Sequence, residues 1–503
     1  MRLLQSIDYA AIAPILAAAT GMVAVLVADI ALPLRRRSAV LWVGVAAAAA
    51  TVVAALALVG DSRRTFCTPP ATLPGSVAVG QSCSYVVDRF TVFLLVLVSA
   101  AALVVLVASA GVVATRDPAE SPQPAGEYTL LVLASLVGVL TLVGARDLVT
   151  LVVGLETLTL PTYVLVGLRR RNSRSAEAAV KFLLVSVTAS AVMLLGMALV
   201  YGLTGTVHLD RIAAALAARA DVRTLPLVTA AVVLVLTGFG FKITLVPFHW
   251  WAPDVYQGAP VPVAAYLATV SKAGGVAGLL LIVVVAFPAY GATWGPAIAV
   301  LSAASMTLGN LVALRQRDAV RLLAWSSIAH AGYLLAPLGI ALTARGRASL
   351  DVAISATLGY LALYVAMNLG AFCCVAAARR TSVEELRGLA ARHPWLAAAF
   401  GFFLLCLAGL PPGLAGLVAK VVVFRATLVG GLGWLAVVMA VNTVIGLAYY
   451  LRLAAALFRS PEGAPGVAAY GRLVPPVAAA VGVAVVATVV LGFAPQIALG
   501  AVP

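Results

Sequence analysis

Four lysines and one glutamate fall inside apolar stretches of this chain. Lys181, Lys242, Lys272 and Lys420 are its only lysines, and 29 of the 33 basic residues are arginine. A charged side chain at the centre of a bilayer costs about 2.5–3.5 kcal/mol on insertion scales, so it is rarely placed there without a use. Lysine can give up its proton when desolvated, whereas arginine keeps its charge. Glu156, in Gly154-Leu155-Glu156-Thr157, is the only acid deep within an apolar run, and an inward-facing lysine is its expected partner. Such a pair has coupled protonation, because moving one charge changes the proton affinity of the other. His330 ends the run Ser326-Ser327-Ile328-Ala329 and adds a group that titrates near neutral pH. These residue types support acid–base chemistry within a membrane: taking up, holding and passing protons.

Each residue also has a plainer reading. Glu156 fits a structural ion pair. Lys181 follows Glu177 by four residues near the start of its span, where a surface helix pair or a snorkelling side chain would serve. His330 also fits a hydrogen-bonded packing histidine, and His249 lies near a span end. The histidines at 208, 249, 330 and 393 have no metal or haem spacing. Gly431, Gly433 and Ala436 match a dinucleotide pattern loosely but join two membrane spans, so they carry no weight. No metal site is expected, and any redox chemistry belongs to another chain.

The elements that must position these groups follow from composition. The chain is 63% hydrophobic and 10% charged, with mean hydropathy +1.09. Apolar runs of about 20 residues bounded by Arg, Pro, Gly or Asp read as transmembrane helices. About fourteen are expected, giving an all-α polytopic membrane protein. The first, starting near Tyr9, reads as a span rather than a removable signal peptide.

The net charge of +15 does not make this a nucleic-acid binder, because the arginines sit in short loops between spans. Loops after odd-numbered spans carry Arg35–Arg37, Arg116, Arg169–Arg171, Arg174, Arg315, Arg317, Arg379 and Arg380. The opposite loops carry fewer, including Arg219 and Arg223, so the richer side is read as cytoplasmic and both termini as outward-facing. Cys67 and Cys83 share an outward loop of an oxidising compartment, where a disulfide and two free thiols both fit. Cys373, Cys374 and Cys406 lie in apolar spans and read as packing residues.

Two spans are broken. In the seventh, Gly238-Phe239-Gly240-Phe241-Lys242 is followed by Pro247; in the twelfth, Gly409-Leu410-Pro411-Pro412-Gly413 precedes Lys420. Proline deletes a helical hydrogen bond. Open backbone at membrane depth is tolerated only inside protein or beside a hydrated cavity. The breaks are five spans apart, and an odd repeat length reverses direction across the membrane, which predicts inverted five-helix repeats. The expected units are residues 1–120, a three-helix segment; 121–290, helices four to eight; 291–460, helices nine to thirteen; and 461–503, helix fourteen.

Several runs make the chain resemble the subunit N group of antiporter-like subunits in respiratory complex I, the bacterial proton-pumping NADH–quinone oxidoreductase. These are Phe241-Lys242 through Pro247-Phe248-His249-Trp250, Pro253-Asp254-Val255-Tyr256-Gln257-Gly258-Ala259-Pro260 and Ala268-Thr269-Val270-Ser271-Lys272-Ala273-Gly274. Leu322 through Tyr333 and Leu407-Ala408-Gly409-Leu410-Pro411-Pro412 also match. The Asp-Val-Tyr-Gln-Gly-Ala-Pro loop and the lysines at 272 and 420 favour the N type over its M and L relatives. The resemblance implies proton translocation through Glu156, Lys181, Lys242, Lys272, His330 and Lys420. Glu156 and Lys242 would be the paired acid and lysine, Lys272 would link two half-channels, and Lys420 would face the outward one.

The resemblance also implies an enzyme complex of the bacterial inner (plasma) membrane. Its partner subunits, among them M-, K- and J-type membrane subunits, would use NADH, FMN, iron–sulfur clusters and quinone, with no cofactor in this chain. Arg146-Asp147 departs from the Asn-Asp usual in the family, at a position expected to lie on the surface. A stand-alone cation/proton antiporter and a passive structural subunit of the membrane arm are the rival readings.

Overall fold

Aspartate side chains start the helices that carry the candidate residues Glu156 and His330. Asp147 accepts from the Thr150 amide at 2.8 Å and opens the helix bearing Glu156. Asp318 accepts from the Arg321 amide at 2.9 Å and opens the helix bearing His330. Each cap satisfies one of the amides a helix start leaves free.

The computed structural model describes residues 7–33, 38–73, 77–113, 124–169, 172–218, 226–459 and 473–500. Its long helices are α1 (Ala13–Ala31), α2 (Val40–Leu56), α3 (Arg89–Ala108), α4 (Ala125–Gly144), α5 (Leu148–Gly167), α6 (Ser173–Thr204) and α7 (Pro226–Ile243). They continue as α8 (Val261–Ala286), α9 (Gly291–Ala313), α10 (Ala319–Leu335) and α11 (Leu350–Ala378), then α12 (Pro394–Ala408), α13 (Leu414–Val429), α14 (Gly433–Phe458) and α15 (Pro475–Phe493). Twelve stretches among the described residues are long and apolar enough to cross a bilayer, while α2 and α12 are apolar but shorter. Arg35–Arg37, Arg116, Arg170, Arg171, Arg219 and Arg223 lie outside the described residues, as do the expected unit boundaries near 120 and 460.

Helices α8, α10 and α11 are enclosed by the others, whereas α1, α6 and α15 turn most of their side chains outward. Val23, Ile30, Leu184, Val444 and Phe493 are among the large apolar side chains left exposed. In water that surface would drive association. In lipid it is the solvated face, and only helices that satisfy their own backbone can present it.

The stretch between α2 and α3 is structured rather than an irregular loop. Strands β1 (Arg63–Thr68) and β4 (Ser82–Val87) pair antiparallel, and β2 (Ala71–Leu73) pairs with β3 (Val77–Val79). Cys67 faces Cys83 across the first ladder, and their sulfurs are bonded. Buried Arg211 ties this hairpin to the short helix Leu209–Ala218, donating to Ser82 Oγ at 2.8 Å and to the Pro69 carbonyl at 2.7 Å. Arg146 is not a surface residue. Its side chain is only 13% exposed and pairs with Asp88 at 2.7 Å.

Both expected breaks are present and sharper than the sequence suggested. Helix α7 ends at Ile243, where Thr244 takes a positive φ of 69°, a costly conformation for a β-branched residue. The Val246 amide freed beyond it donates to Ser305 Oγ on α9 at 2.9 Å. The twelfth span is two helices, α12 and α13, parted at Gly409, whose φ of 81° suits glycine. A Cβ there would also stand 2.9 Å from Lys420 Cδ, so the glycine lets that lysine lie against the break.

Helices α4 and α5 approach most closely at Gly138, where a Cβ would fall 2.1 Å from the Leu158 amide nitrogen. Gly138→Ala should therefore force α5 away and destabilise the protein by about 1–3 kcal/mol, the usual cost of overpacking. Thermal unfolding of the detergent-solubilised protein checks this against Gly202→Ala, whose Cβ meets nothing within 4 Å. Equal melting temperatures for the two variants would refute the tight-contact argument.

Candidate functional site

Glu156 sits mid-helix on α5, half-buried, and accepts a 2.6 Å hydrogen bond from Ser190 Oγ on α6. Lys242 lies in the last turn of α7 and is 3% exposed. Its Nζ donates to Thr159 Oγ1 at 2.7 Å, and that hydroxyl donates back to the Leu155 carbonyl. Glu156 and Lys242 are thus not in direct contact: the lysine meets α5 one turn beyond the acid, through Thr159.

Lys272 follows a π-helical turn, Leu267–Ser271, within α8, the kind of widened turn that often marks a functional site. It is buried, and Nζ donates to Ser327 Oγ and the Ser327 carbonyl, both at 2.6 Å, and to Thr244 Oγ1 at 3.1 Å. Thr244 is the positive-φ residue of the α7 break. That break therefore lies between Lys242, two residues before it, and Lys272, which it contacts. Lys272 also stands 5.6 Å from the centre of the Tyr364 ring, within cation–π range.

His330 is buried on α10, with hydroxyls at both ring nitrogens: Tyr360 at 2.6 Å from Nδ1 and Tyr450 at 3.0 Å from Nε2. Lys420 on α13 donates to the Ala408 carbonyl at 2.6 Å, an acceptor at the end of α12 beside the break. Its Nζ is 5.5 Å from the Tyr333 ring centre. The two breaks do parallel work: each brings a polar backbone or hydroxyl group to a buried lysine.

The comparisons with known proteins follow this geometry. A family model described as "NADH:quinone oxidoreductase/Mrp antiporter, TM" matches residues 145–446. The NADH-quinone oxidoreductase subunit N 2 of Streptomyces griseus is 49% identical over 470 residues, covering 92% of this chain and 84% of the relative. The chain belongs to the NADH-quinone oxidoreductase subunit N family. A chain of respiratory complex I from Thermus thermophilus superposes with TM-score 0.76 at 32% identity, covering 97% of this chain and 98% of that one. A chain of the Mrp complex from a Dietzia species has TM-score 0.81 at 22% identity, covering 98% and 96% respectively, and shares the fold.

Within this subunit N family member, Lys181 stands apart from the other candidates. Its side chain is 46% exposed and pairs with Glu177 at 2.6 Å and Asp254 at 3.1 Å. Asp254, on the short helix Trp251–Gly258, is also held by Arg321 at 2.6 Å. Burial alone would raise the Asp254 carboxyl, but the hydrogen bonds from Arg321 and Lys181 outweigh it and hold the group below its usual value. This cluster links α6, the segment after the α7 break and the start of α10. His249 is buried between the rings of Trp250 and Trp325, 4.6 and 5.4 Å away.

Sequence reading missed the partners. Thr159, Thr244 and Ser327 accept hydrogen bonds from the lysines, and Tyr333, Tyr360, Tyr364 and Tyr450 surround His330. Polar residues inside otherwise apolar spans were the available signal, since a buried hydroxyl needs a partner.

Proposed function

We propose that this chain is the proton-translocating N-type subunit of a bacterial NADH–quinone oxidoreductase. Partner subunits oxidise NADH and reduce quinone with FMN and iron–sulfur clusters, and this subunit moves protons outward. The observation that carries the reading is the state of Lys242, Lys272 and Lys420. All three are buried, and among the described residues none has a carboxylate within 4.0 Å. An unpaired ammonium in a low-dielectric core costs several kcal/mol. A structural cation would not be worth that cost, whereas a charge that comes and goes is.

Protons enter near the Lys181–Glu177–Asp254 cluster and reach Lys242 by way of Glu156 and Thr159. Lys272 takes them across the α7 break, and His330 and Lys420 complete the path toward the outward face. Movement of a neighbouring membrane subunit, of the M, K or J type, shifts the Glu156–Lys242 balance and times the transfer. The relay spans two inverted units, residues 121–290 and 291–460, in a chain that crosses the membrane fourteen times with both termini outward. Two parallels support the repeat. Asp147 and Asp318 cap the second helix of each unit, and each makes an isolated bridge, to His208 and to Ser382.

Purification from solubilised membranes tests the assignment. The chain should travel with flavin and iron–sulfur subunits, and inverted vesicles holding that assembly should take up protons when given NADH. A chain that purifies alone and exchanges cations for protons without NADH would replace this reading with the antiporter one.

A further inference from the structure

We propose that Tyr360 and Tyr450 are positioning residues for proton transfer at His330, holding the ring and meeting each nitrogen in whichever protonation state it takes. The inference rests on the relay reading above and adds two groups to it.

A neutral imidazole donates at one nitrogen and accepts at the other, and a phenol hydroxyl can do either. His330, on α10, has a phenol at each nitrogen, from Tyr360 on α11 and Tyr450 on α14. The Tyr450 hydroxyl is also hydrogen-bonded to Ser326 Oγ, one turn before His330 on α10. Ser326, Tyr450, His330 and Tyr360 therefore form one hydrogen-bonded row, and all four are buried. A histidine needed only for packing would require one partner to donate and one to accept. Here Tyr450 also has a partner in Ser326, so its hydroxyl can turn from donor to acceptor at Nε2 without losing its own hydrogen bond.

The step balances with the relay lysines as source and sink. One of Lys272 and Lys420 gives a proton to one ring nitrogen, and the other takes the proton from the opposite nitrogen. As Nε2 gains its proton, the Tyr450 hydroxyl turns from donating to the ring to donating to Ser326 Oγ, and as Nδ1 loses its proton, the Tyr360 hydroxyl turns to donate to it. One proton enters, one leaves, no bond of either phenol breaks, and the ring has changed tautomer. The groups facing His330 from the elements around it are Lys272 on α8, Lys420 on α13, Tyr333 on its own helix, Tyr360 and Tyr364 on α11 and Tyr450 on α14. Tyr449 supplies the contrast. It lies beside Tyr450, with ring centres 4.4 Å apart, but its hydroxyl goes to Asn310 at 2.9 Å.

The test uses the assembled complex in inverted vesicles, comparing NADH-driven proton uptake with quinone reduction across pH. Tyr450→Phe and Tyr360→Phe should each lower proton uptake per NADH at least about tenfold, in the range of a misplaced proton-transfer partner, and should change its pH profile. Tyr449→Phe should leave the profile as it was. On a His330→Gln background neither phenylalanine should cost more, because residues acting through one group are not additive. If both phenylalanine variants pump normally while His330→Gln does not, the positioning role is wrong and the relay stands. If His330→Gln itself pumps normally, the relay through His330 fails. Should Tyr450→Phe not assemble, Ser326→Ala keeps the phenol and removes its partner, and normal uptake by that variant would overturn the proposal.

Discussion

Lys242→Arg should abolish NADH-driven proton uptake, by at least about tenfold, in complexes that still assemble. Arginine keeps the positive charge but cannot release it. In the native site Nζ rests on Thr159 Oγ1, with Glu156 one turn away on the same helix. A fixed cation there would preserve the electrostatic attraction and remove the exchange. Fit must be separated from chemistry, because α8 runs close by: a Cβ at Gly275 would be only 3.0 Å from Lys242 Cγ. Lys242→Met supplies the control, matching the length of the side chain without its charge. If arginine and methionine both stop proton uptake while quinone reduction in uncoupled membranes continues, a proton must leave this nitrogen. If arginine pumps normally, a fixed charge suffices and Lys242 is an electrostatic anchor.

The second large effect is expected at Lys272. Its three hydrogen bonds join the α7 break, through Thr244, to α10, through Ser327. Lys272→Met should cut proton uptake per NADH by at least about tenfold because it interrupts the link between the α7 break and α10. It also leaves buried acceptors unpaired, at about 1–3 kcal/mol, so less complex should accumulate. Dividing proton uptake by the flavin content of the same vesicles removes that loss of material. Normal uptake per flavin would place the route elsewhere and leave Lys272 as a brace between α8 and α10.

Much of the site was legible because a membrane makes charge conspicuous. A lysine in a span stands out against its neighbours, and Pro247, Pro411 and Pro412 mark the broken helices without any structure. Lys181 shows the limit. About two turns into α6, it could have faced the core or the outside, and only the packed structure turns it to Glu177 and Asp254. Arg146 shows the converse: a position expected at the surface is partly buried and paired with Asp88, 58 residues away.

By itself, the sequence determined that the chain is a bundle of membrane helices with lysines at depth and two breaks, because length, hydropathy and proline chemistry act locally. Tertiary structure decided which group each lysine touches. Helices α8, α10 and α11 are apolar almost all round and enclosed, so no amphipathic stripe records which face meets which neighbour. The hydroxyls that accept hydrogen bonds from Lys242 and Lys272 include ones from residues 83 and 55 positions away in sequence. Rotation of each helix about its own axis therefore selected Thr159 over Glu156 for Lys242, and placed tyrosines at both nitrogens of His330.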